Sequence, residues 1–193
     1  MALTLPIDAE ANELLQRNPL ALVIGMVLDQ QVPFEWAFSA PYELVKRLGH
    51  EPDAHELASF DPDELIKIFT GPPALHRFPK ANAQRVQAVC QLLVERYDGD
   101  PARMWNEAVT GRELLERVSA LPGFGKQKAQ IMVALLGKQY GVQPPGWREA
   151  AGDYGPDDTY KSVADITDMD SLAKVRSYKQ QMKADAKAAR GGR

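Results

Sequence analysis

The sequence predicts an all-α protein, and three observations carry that expectation. Alternating runs of β-branched and aromatic residues are nearly absent. Asn18-Pro19, Asp61-Pro62 and Asp100-Pro101 each set a capping side chain before a proline at a first helical position. Stops are marked by Gly49, Gly71, Gly99 and Gly141.

The elements follow in order. A short helix is expected over 8–16. The 19–30 run, Pro-Leu-Ala-Leu-Val-Ile-Gly-Met-Val-Leu-Asp-Gln, is apolar nearly all round and reads as a central buried helix. A third helix is expected over 35–48, ending at Gly49. The 62–69 helix starts behind Asp61, and 80–97 is long and amphipathic. Asp100 opens 101–108. Thr110-Gly111-Arg112-Glu113 has capping-box spacing and opens 111–119. A helix over 126–140 follows a tight turn. The last, 170–188, carries Leu172, Val175, Tyr178 and Met182 at spacings of three and four, with lysines around them. It should dock along one stripe and show a basic face, while Ala-rich 183–193 frays. There is no internal repeat.

The chain of 193 residues can bury a good core as one domain or two small lobes. Its longest apolar run, Leu20–Leu28, is too short to span a bilayer, and the N-terminus lacks a signal-peptide layout. The single cysteine, Cys90, excludes an internal disulfide and argues for a cytoplasmic protein. Net charge is −3, yet its distribution is uneven. Six acids and no Lys or Arg lie between Glu51 and Glu64. Five bases and no acid run from Arg117 to Arg148, and seven bases with one acid, Asp185, follow Ser171. That asymmetry fits one phosphate-facing surface on a protein otherwise solubilised by carboxylates.

The most informative stretch is Leu121-Pro122-Gly123-Phe124-Gly125-Lys126-Gln127-Lys128-Ala129. A helix cannot pass through Pro-Gly-x-Gly, so the chain stops, turns and restarts. The glycines bare the amides that open the next helix, where unpaired N–H groups and the positive dipole end favour an anion. Lys126 and Lys128 add charge, and a nucleic-acid phosphate is the natural ligand. The string resembles the helix-hairpin-helix of the base-excision DNA glycosylases of the helix-hairpin-helix–GPD superfamily. The likeness extends more weakly from Pro19 to Ile166.

The resemblance implies a two-lobed helical fold, with 19–133 forming a barrel lobe that carries the hairpin. Residues 1–18 and 134–193 together would form the second lobe. It also implies double-stranded DNA as partner, a monomer, and a cytoplasmic, nucleoid-associated location. One cysteine rules out the iron–sulfur loop of some members, so no cofactor is expected beyond a structural Na+ or K+. That ion would sit on the main-chain carbonyls of Ser119, Leu121 and Phe124. Gln31 takes the place of the glutamine that enters the space left by an extruded nucleotide, a task suited to a long uncharged amide. His76, Arg77 and Phe78, in the proline-stiffened loop Gly71–Lys80, are the alternatives for the wedge into the duplex. Gln30, Trp36, Trp147 and Arg148 are candidates for the pocket that receives the base.

Members that also cut the strand place a lysine where this chain has Gln127, and an amide cannot form an imine. A monofunctional, hydrolytic enzyme is therefore implied. The family's carboxylate, expected about 18–20 residues past that position to steady the cationic sugar, is missing at that distance. An insertion displaces it, leaving Asp158 and Asp165 as candidates. Two other classes stay open: a lesion- or structure-binding protein without chemistry, and a helical module whose hairpin meets another protein.

Overall fold

The computed structural model describes residues 3–191. They are 69% helical, with no strand among them. The elements are α1 (Ala9–Arg17), α2 (Pro19–Leu28), α3 (Phe34–Leu48), α4 (Ala54–Ser59), α5 (Pro62–Thr70), α6 (Pro79–Tyr97) and α7 (Pro101–Asn106). Then come α8 (Gly111–Ser119), α9 (Lys126–Gln139), α10 (Trp147–Ala150), 3-10 turns at Gly152–Tyr154 and Val163–Asp165, and α11 (Met169–Gly191).

The proline-preceded caps form as the sequence suggests, while the Thr110 box closes on one side only, Glu113 Oε2 accepting Val109 N–H at 2.9 Å in place of Thr110 N–H. Asn18, Asp61 and Asp100 each accept a first-turn amide behind their prolines, and Thr110 accepts Glu113 N–H at 3.1 Å. Two helices escaped prediction. At six and four residues, α4 and α10 are too short to show a 3.6-residue period. The central helix ends at Leu28, two residues early, because Asp29 and Gln31 leave helical angles. The last helix continues to Gly191 instead of fraying. Met182 lies on its exposed half, so the docking stripe ends at Tyr178.

Every residue from Leu20 to Leu28 is buried, which makes α2 the axis of the core. Buried apolar side chains form one cluster from Leu3 to Val175. Gln139 ties its far end together: its amide donates to the carbonyls of Ala164 and Ile166, both at 2.9 Å, and its oxygen accepts Thr4 N–H. The segment before α1 thus meets the end of α9, while α1 itself packs on α2 and α3.

Segment 141–168 folds back on α9. Trp147 lies so close to Gly137 that a Cβ there would meet its ring at 2.3 Å. Lys138 and Asp165 form an ion pair at 2.5 Å, with side chains 9% and 2% exposed. The same carboxylate accepts Lys161 N–H (2.8 Å) and Ser162 N–H (3.2 Å). Removing one member of such a pair strands a buried charge. Lys138→Met should therefore cost about 3–5 kcal/mol of unfolding free energy, measured as a shift in the urea midpoint.

Candidate nucleic-acid interface

The hairpin joins α8 to α9. Gly123 takes φ +82°, open only to glycine at low cost, and a Cβ there would strike Arg85 Cδ at 2.5 Å. Gly125 differs from expectation: φ is −76°, an ordinary value. A Cβ on it would meet nothing within 4 Å. The space in front of the α9 amides is therefore open, and no side chain caps them. Lys126 stands exposed beside that opening. Within the turn, Leu121 C=O accepts Phe124 N–H at 3.0 Å, while among the described residues the carbonyls of Ser119 and Phe124 receive no backbone donor.

Lys128 is not arranged as a phosphate ligand. Its ammonium turns inward and donates to Val27 C=O at 2.8 Å, on the last turn of α2, and lies 5.2 Å over the Phe124 ring. Burial pulls its pKa down to about 8, against the opposing pull of Asp29 and with help from Arg85. Asp29 is half-buried there. Burial pushes its carboxyl up, and Lys179 and Lys128 pull it back.

His76 is likewise displaced from the role considered for it. It is 1% exposed and cannot be a wedge. Its Nε2 bonds Leu28 C=O (3.1 Å) and Gln30 C=O (3.0 Å), and its Nδ1 accepts Phe78 N–H at 3.0 Å. This pattern fixes a neutral ring protonated on Nε2, and burial holds its pKa below the ordinary imidazole value. The strut lifts the loop tip, leaving Phe78 45% exposed with the Arg77 guanidinium 5.4 Å from its ring. Trp36, 39% exposed, stacks on the other side of His76 at 6.3 Å. Arg47 stiffens the loop from beneath, donating to the carbonyls of Ile68, Gly71 and Pro73.

Gln31 is exposed and has φ +59°, a strained value for a side-chain-bearing residue. Gln30 is tied down, its Oε1 accepting Arg85 Nη1 at 3.1 Å. Arg85 thus bridges the hairpin turn and the end of α2, and sequence reasoning missed it. Its only signal was its place in the first turns of a long helix.

Gln127 donates from Nε2 to Tyr154 Oη at 2.8 Å. Gly152 packs against Gln130 in the next turn of α9, so the 152–154 turn lies at the hairpin end of the helix. Asp153, within it, is exposed and has no hydrogen bond or ion pair among the described residues. The two expected carboxylates lie elsewhere. Asp165 is locked to Lys138, and Asp158 is exposed beside Pro156 and Thr159, which Lys138 also contacts. Lys138 stands 12 residues from Lys126, about 18 Å along the helix.

Trp147 and Arg148 do not line the mouth, the surface between the open start of α9, Gln31 and the loop before α6. Trp147 is 5% exposed in the core, and Arg148 lies 4.3 Å over its ring while pairing with Asp157 at 2.7 Å. A depression of about 480 Å³ lined by Trp105, Tyr140 and Val142 lies at the opposite end of α9 from the hairpin. Cys90 is buried, its thiol pushed up to about 12, and offers no nucleophile.

A family model described as HhH-GPD superfamily base excision DNA repair protein matches residues 24–190. No curated protein and no solved structure matches the chain.

Gly123→Ala should lose roughly 1–2 kcal/mol or more of stability, from a left-handed backbone and the Arg85 clash, whereas Gly125→Ala should be nearly neutral in urea titrations. For His76, the unfolded ring takes up a proton before the folded one as pH falls. Its contribution is therefore complete above about pH 6.5 and shrinks as pH drops through that value. The wild-type urea midpoint should fall more steeply from neutral to mildly acidic pH than that of His76→Gln.

Proposed function

The chain belongs to the HhH-GPD superfamily of base excision DNA repair proteins, and we propose that it acts there as a monofunctional DNA glycosylase. It would seat duplex DNA on the hairpin, extrude a damaged or mispaired base and hydrolyse the bond between base and sugar. The observation that carries this reading is the Gln127–Tyr154 contact. At the position where strand-cutting relatives carry an amine, this chain has an amide held by a phenol. The adjacent amine, Lys128, is occupied on Val27. Water is then the nucleophile, and the phosphodiester backbone stays intact.

The remaining roles follow from placement. The open amides before α9, with Lys126, grip a phosphate next to the lesion. Phe78 wedges between base pairs, and Gln31 enters the vacated stack to meet the orphaned partner base. Asp153, brought to the mouth by its neighbour's bond to Gln127, steadies the positive charge that grows on the sugar as the base departs. The carbonyls of Ser119, Leu121 and Phe124 would hold a monovalent cation that braces the turn.

A second reading, a protein that binds lesions or branched DNA without chemistry, is favoured by the distance of Asp158 and Asp165 from the hairpin. Duplexes bearing uracil, alkylated, oxidised or mismatched bases separate the two. The glycosylase should leave strands that break only after alkali, and Asp153→Asn should lower the rate about 100-fold or more with duplex affinity kept. Borohydride trapping of a covalent adduct would refute the hydrolytic mechanism. Lesion-selective binding with no alkali-labile product would establish the second reading.

A further inference from the structure

The C-terminal helix does two different things along its length. Leu172 and Val175 are buried and Tyr178 half-buried, which docks the first three turns. From Lys179 to Arg190 every residue is exposed, yet the helix continues. A solvated helix that buries nothing gains no packing energy from its own chain.

Its charges are arranged. At about 100° per residue, Arg176, Lys179, Lys183, Lys187 and Arg190 fall within an arc of about 80°. The stripe runs about 21 Å along the axis. Asp185, the one acid of this half, lies on the opposite side and accepts Gln181 Nε2 at 2.8 Å. The ion pairs of α11 stop at Arg176, so among the described residues Lys183, Lys187 and Arg190 have no counter-charge. The stripe also starts in a meaningful place. Arg176 pairs with Glu35, next to Trp36, and Lys179 acts on Asp29 at the end of α2. The helix therefore leaves the body beside the mouth rather than behind the molecule.

We propose that the projecting half of α11 is a second DNA-backbone arm, laying its basic stripe along the phosphates of the duplex that the hairpin holds. This rests on the reading of the hairpin as a duplex-DNA grip and adds a contact to it. An acidic protein gains in this way a long, locally positive track without a basic body.

The test is equilibrium binding of a labelled duplex of about 20 base pairs with a central abasic analogue, titrated from about 50 to 200 mM salt. Lys183→Gln, Lys187→Gln and Arg190→Gln together should make the slope of log affinity against log salt shallower by about 2–3. Affinity near 100 mM salt should fall at least about tenfold, with helix content by circular dichroism retained. A charge-matched variant, Lys67→Gln with Arg103→Gln and Arg112→Gln, should bind like wild type. An unchanged slope in the arm variant, or an equal drop in the matched one, overturns the arm. If Lys126→Glu then still abolishes binding, the hairpin reading survives without it. Wild-type protein that fails to retain duplex at all sinks both.

Discussion

A helix buried to its last turn presents its final carbonyls to a place where water is scarce, and they must find donors. In this protein the end of α2 meets that demand with two side chains from elsewhere. Lys128 reaches it from the hairpin helix, and His76 from the loop before α6. A cation is favoured at that pole of the helix dipole, and a neutral ring can donate there without bringing a second buried charge. The hairpin and the loop before α6 are thereby fastened to one point. Their spacing follows from satisfying backbone groups, independently of any ligand.

Several features make sense from that junction. Gln31 comes three residues after the capped turn and adopts a left-handed conformation, which turns the chain away from the helix axis. Gln30 is held by Arg85, whose side chain also fills the space a Cβ on Gly123 would take. One arginine thus sets the hairpin turn against the segment that carries Gln31. Such strain is tolerated where surrounding contacts over-determine the backbone. The same fastening divides the labour between two lysines: Lys126 remains in solvent, and Lys128 is spent on the core.

The parts of this protein legible in the sequence are those decided within a few residues. The proline-preceded caps, the Pro-Gly-Phe-Gly turn and the all-apolar run of α2 are local signals, and the helices they mark are present. The roles of His76 and Lys128 are decided by partners 48 and 101 positions away. No spacing rule could separate a phosphate lysine from a helix cap. Asp165 shows the same limit. The apolar neighbours in Ser162-Val163-Ala164-Asp165-Ile166 announce burial, but the burial comes with Lys138 and two backbone donors. Trp147 shows a related limit: the glycine that receives its ring, Gly137, lies on a helix ten residues earlier, where a small residue looks incidental.

Segment 141–168 reaches the hairpin without disturbing it. Its start is pinned by Trp147 on Gly137 and its end by Asp165 on Lys138, both toward the far end of α9. Between those anchors the chain runs out to Gln127 and back, with Tyr154 at the turning point. A lysine at position 127 would meet a phenol where it needs room to attack, while glutamine donates to that phenol at 2.8 Å. The amide at 127 and the segment that carries Tyr154 therefore belong together. The glutamine that holds Tyr154 thereby also brings an otherwise unpaired carboxylate, Asp153, to the hairpin end of α9.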